Sequence, residues 1–103
     1  MTVCLEVSKM TFEQAKCMMS RGKCKLAHET YLISVDEDTY GVRYHNTIVV
    51  KIHKDGSYTL NSGGYDTQTT YRRMREYSPA RFARQKRGEL YVNGTLFFDG
   101  VRI

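Results

Sequence analysis

Proline is nearly absent from this chain, cysteine is sparse, and no long apolar run occurs. With Pro79 the sole proline, and no low-complexity tract or useful internal repeat, a proline-rich linker and a solenoid are both excluded. Nothing approaches the run of about 18 apolar residues that a transmembrane helix needs. The start, MTVCLEVSKM, lacks the basic and then apolar regions of a signal peptide. Three unevenly spaced cysteines argue for reduced thiols in a cytoplasm rather than a disulfide frame. Cys17, Cys24 and His28 make a poor zinc site, because no fourth ligand has typical spacing. Neither a metal nor a cofactor is expected.

What is present suits one soluble α+β domain over 1–103, with 41% apolar and 26% charged residues. The net charge of +5 is unevenly spread. Seven basic residues (Arg72, Arg73, Arg75, Arg81, Arg84, Lys86, Arg87) stand against one acid, Glu76, between 72 and 87. Glu29, Asp36, Glu37 and Asp38 form an acidic counterpart. A cationic stretch of this kind suits an anionic partner, and equally a solvated face.

Thr11 with Gln14 is a capping box, and Gly22 suits a left-handed helix end, so 11–21 reads as a helix burying Phe12, Ala15, Met18 and Met19. Strands are expected from Tyr31 onward: 31–35, then 39–45 with Gly41, Arg43 and His45 on one face, then 48–53 with Ile48, Val50 and Ile52 together. A three-residue Lys54-Asp55-Gly56 loop pairs Ile52 with Tyr58 and Val50 with Leu60, apolar with apolar; the two-residue alternative mixes polar and apolar partners. The result is an antiparallel β-meander over 31–61. After Asn61-Ser62-Gly63-Gly64, Thr67 or Asp66 caps a short basic helix to about Tyr77, with Tyr71, Met74 and Tyr77 inward and Arg72, Arg73 and Arg75 largely outward. Pro79 stops it and forces Ser78 to be extended. A C-terminal β-hairpin follows: 82–85 pairs with 90–92 across Lys86-Arg87-Gly88, and Asn93-Gly94 pairs Tyr91 with Leu96. Leu96 and Phe98 on one face and Phe97 on the other make this strand either central or a subunit interface.

Two places could carry chemistry. Ser62, Gly63 and Gly64 let backbone approach a ligand, the following helix start offers amides, Thr67, Thr69 and Thr70 add hydroxyls, and Arg72 or Arg73 could close on a phosphate. The spacing is not that of a Walker loop, and its lysine is missing. The same residues also suit a turn that merely joins sheet to helix. The second place is Arg43 with His45, and His53 beyond, the minimum for acid–base cleavage of RNA, with tyrosines to stack bases. No carboxylate is evidently paired with either histidine.

The runs KCKLAHETYL, YGVRYHNTIVV, DGSYTLNSGGYDTQTTYRRM and FFDGVRI resemble a group of small, mostly uncharacterised tailed-bacteriophage proteins. Arg43, His45 and Thr47 match its Val-Arg-Leu-His-x-Thr block. Asn61, Ser62, Gly63, Gly64, Thr67, Thr69, Thr70 and Arg73 match its Leu-Asn-Ser-Gly-Gly-aromatic-x-Thr-x-Thr-Thr block and the helix after it. Tyr44 replaces a leucine of that pattern, and Tyr65 its usual tryptophan. The resemblance implies a phage accessory protein in the host bacterial cytoplasm. The expected function is non-enzymatic binding of a phosphate-bearing partner, nucleic acid or nucleotide, in the service of inhibiting a host defence such as CRISPR or nucleotide signalling. The partner could instead be a host defence protein. No membrane partner is expected, and the C-terminal strands could form a homo-oligomer. The alternatives are a small ribonuclease or nucleotide-cleaving enzyme using His45 and Arg43, and a virion or protein-interaction component.

Overall fold

A computed structural model describes residues 10–22, 24–64, 67–85 and 87–103. Asp66, the alternative helix cap, Tyr65 and Lys86 therefore lie outside the described residues, as does the start of the chain. The first helix, α1 (Phe12–Ser20), begins with the expected box: Gln14 N–H donates to Thr11 Oγ1, and Thr11 N–H donates to Gln14 Oε1. Five strands follow: β1 (Lys25–Ala27), β2 (Thr30–Asp36), β3 (Thr39–Tyr44), β4 (Thr47–His53) and β5 (Tyr58–Leu60). The second helix, α2 (Gln68–Tyr77), leads to β6 (Phe82–Arg84), β7 (Leu90–Val92), β8 (Thr95–Leu96) and β9 (Val101–Arg102). Two antiparallel sheets result, in the orders β1-β2-β3-β4-β5-β9 and β6-β7-β8.

The α+β class, the meander and the C-terminal hairpin are as the sequence implies. The loop after β4 has the favoured register, with Ile52 opposite Tyr58 and Val50 opposite Leu60, and Gly56 at φ +93°. That register sends Leu32, Val42, Val50 and Leu60 to one face, where α1 packs on β2 and β3, and α2 on β3 and β4. All four are essentially inaccessible, as are Ala15 and Met74 from the helices. Burial of each large aliphatic side chain is worth roughly 1.5–3 kcal/mol, so this face supplies the main driving force.

Several expectations need correction. β1 was not foreseen: its three residues show no alternation, and Glu29 reaches the hairpin turn at φ +53° without a glycine. Ile48 does not share a face with Val50. Val42 pairs with Val50 but Arg43 with Ile48, so Val49 is an extra residue, a bulge that turns Ile48 to the opposite face over Gly41. His45 is not on a strand face either; β3 ends at Tyr44, and His45 sits in the next turn at φ +55°. Arg73 is not outward, its side chain being only 11% exposed. The strand carrying Leu96 is not central: β8 pairs only with β7, leaving Leu96 and Phe98 exposed while Phe97 packs against Tyr71 and Phe82.

Candidate ligand cavity at the start of helix α2

The loop from β5 to α2 is held by short polar side chains. Asn61 Oδ1 accepts from Gly63 N–H at 2.7 Å, and Ser62 Oγ from Gly64 N–H at 3.2 Å. Ser62 itself is buried, and both its N–H and its hydroxyl donate to Asp99 Oδ1 in the turn before β9. The amides of Gly63 and Gly64 are thus already taken. The two glycines differ in their reasons for being there. Gly63 has φ +65°, and a Cβ on it would overlap the Thr47 hydroxyl and come within 2.8 Å of its methyl. Gly64 has φ +85° with open space around it, so only its dihedral calls for glycine.

Close approach of Gly63 to Thr47 brings the β3–β4 tip against the start of α2. Thr67 caps this helix: its Oγ1 accepts from Thr70 N–H at 3.2 Å and shares a 2.8 Å hydrogen bond with the Thr70 hydroxyl. Thr70 is buried, while Thr69 is half-buried. The amides of Gln68 and Thr69, in the first turn, have no acceptor among the described residues. Between the tip and the helix start lies a cavity of about 410 Å³, lined by Tyr44, His45, Asn46, Thr47, Thr67 and Thr70.

Tyr44 is its aromatic wall. The His45 ring tilts against it at a centroid distance of 4.3 Å, and the Arg73 guanidinium lies 5.8 Å from the Tyr44 centroid. Arg73 does not line the cavity: its Nε donates to Thr30 Oγ1 at 2.9 Å and its Nη1 to Glu76 at 2.8 Å. It is a fixed cation behind the wall. Arg72 is exposed and lines a different groove. Arg43 projects from the face opposite Tyr44, with its guanidinium 5.7 Å from the Tyr31 centroid. His45 Nδ1 lies 3.7 Å from Glu29 Oε1, a pairing made by two hairpin turns that spacing alone does not reveal. His53 is at the other end of β4, about 20 Å away by strand rise, bonded through Nδ1 to Thr39 and through Nε2 to Thr59. The structure therefore gathers His45, Thr67 and Thr70, and leaves Arg43, Arg72 and His53 elsewhere. Tyr44 and Asn46 are cavity residues that sequence reasoning passed over; the turn at 45–46 was their signal.

Residues 7–102 match the family described as Kyanoviridae Gp96 protein. The chain belongs to this phage protein family. The match spans every candidate residue from Arg43 to Arg73. No curated protein and no solved structure matches the chain. No helix among the described residues is long and apolar enough to cross a membrane.

Proposed function

We propose that this phage accessory protein is a non-enzymatic binding module that holds a small phosphate-bearing ligand, of nucleotide size, in the cavity between the β3–β4 tip and α2. The observation that carries this is the cavity's composition. An aromatic wall, an imidazole, an amide side chain and threonine hydroxyls meet in one concave space. Its volume falls in the range of about 300–1,000 Å³ typical of small-molecule sites. A base would lie on Tyr44 while phosphate oxygens meet the Thr67 hydroxyl and the His45 imidazole. For a phage, such a module would serve by sequestering a nucleotide signal of host defence. Self-association belongs to the same reading, since Leu96 on the edge strand β8 and Phe98 just beyond it are 48% and 58% exposed.

Titration calorimetry with a panel of mono-, di- and cyclic nucleotides tests it. Binding by the unmodified protein should weaken at least about tenfold in Tyr44→Leu, which keeps bulk but loses the ring, and in His45→Ala. Arg73→Ala is the wrong probe, because it also strands Glu76 and Thr30. Absence of binding across the panel, or binding by both variants as tight as that of the unmodified protein, would overturn the proposal.

A further inference from the structure

On its flank toward the second sheet, α2 faces a groove of about 420 Å³ that is separate from the cavity at its start. Arg72 and Arg75 rim it from the helix, and Arg84 from β6. Arg84 is held over the hairpin loop by donation from Nη1 to the Gly88 carbonyl at 2.9 Å. Tyr71, Phe82 and Leu90 form the floor. Tyr71 and Phe82 meet edge to face at 5.2 Å, and Phe97 closes the trio at 5.8 and 5.9 Å, so the floor is a braced aromatic surface. Among the described residues no acid lines the groove, and Arg72 and Arg75 have no ion pair. Glu76, the acid nearest in sequence, is committed to Arg73. Arg81 and Arg87 extend the same charge along the hairpin.

We infer that this groove binds single-stranded nucleic acid, with backbone phosphates on Arg72, Arg75 and Arg84 and an unpaired base against Tyr71 and Phe82. Arginine offers a planar fork for phosphate oxygens, and three of them around an aromatic floor reproduce the two components of single-strand recognition. The floor is recessed between helix and hairpin, so a base must leave the duplex to reach it; a duplex would meet the arginines alone. This inference is independent of the nucleotide reading of the first cavity.

Fluorescence anisotropy with labelled oligo-dT and oligo-U about 15 nucleotides long, and with a duplex of the same length, tests it. The single strands should bind more tightly than the duplex, with log Kd rising against log salt at a slope of about 2, as three phosphate contacts require. Arg72→Gln/Arg75→Gln/Arg84→Gln should weaken binding at least about tenfold and flatten that slope. The three side chains are exposed, and the bond from Arg84 to the Gly88 carbonyl lies at the surface, so the variant should melt only slightly below the parent. Phe82→Leu should weaken binding with the slope unchanged. A control with the same charge loss on exposed lysines, Lys16→Gln/Lys25→Gln/Lys54→Gln, should bind nearly as the parent does. Equal loss in the lysine control, preference for duplex, or tighter capture of a glutamate-rich peptide at the same salt would each overturn the inference.

Discussion

Strand β4 has a histidine at or near each end, and the two are opposites. His53 is in the ladder, with a hydroxyl on each ring nitrogen: Thr39 at 3.3 Å and Thr59 at 2.7 Å. Burial, and then the nearby Arg102 cation, hold its pKa below the ordinary value of 6.5. His45 lies just beyond the strand, exposed in a left-handed turn, with only a loose 3.7 Å approach to Glu29. One imidazole has spent its hydrogen-bonding capacity on the fold. The other keeps it and borders a cavity. Residue type therefore says little about a histidine's role until its partners are counted.

The largest expected effect would come from breaking the support behind the His45 end. Gly63→Ala should cost about 3 kcal/mol in urea denaturation, since it adds both left-handed strain and overlap with Thr47. Gly64→Ala should cost only about 1 kcal/mol, for the dihedral alone. If the two proved alike, Thr47 would not be what fixes this end. The partners come next. Thr59→Val removes the closer hydroxyl from His53 and should cost about 1 kcal/mol, whereas Glu29→Gln beside His45 should change stability by less than about 0.5 kcal/mol. Reversal of that order would erase the contrast. The smallest effect is in pH. With its folded pKa below 6.5, His53 is protonated in the unfolded chain before it is in the folded one. Stability should be level above pH 6.5 through this group and fall as pH drops from there toward the folded value. His53→Gln should remove that part of the decline in thermal melts between pH 5 and 7, and an unchanged decline would assign it to other groups.

Local chemistry was legible in the sequence and remote partnership was not. The Lys54-Asp55-Gly56 register, the Thr11–Gln14 box, the Asn93-Gly94 turn and the Thr67 cap all follow from residues within a few positions of each other. The bulge at Val49 could not be read that way: Ile48, Val49 and Val50 are all apolar, and only the partner register on β3 shows which one is extra. Arg73 is drawn inward by Thr30, far away in sequence, so its helical position beside Arg72 gave the wrong orientation. At the candidate site, the Ser-Gly-Gly turn stood out by composition. Its polar groups turn out to serve Asn61, Ser62 and Asp99, and the cavity opens beside it, on residues that two hairpins and a helix bring together.

β5 also has a partner distant in sequence. Tyr58 N–H donates to the Ile103 carbonyl at 2.9 Å and Ile103 N–H to the Tyr58 carbonyl at 2.8 Å, while Gly100 N–H reaches Leu60. With the Ser62–Asp99 bonds, these close residues 61–100 into a loop that contains α2, the second sheet, the arginine-rimmed groove and the helix side of the first cavity. Contacts so far apart in sequence form late in folding, after the meander has its own register. They should also open together, so the Tyr58, Ser62 and Ile103 amides should exchange with solvent as one unit, slower than the β6–β8 hairpins they enclose.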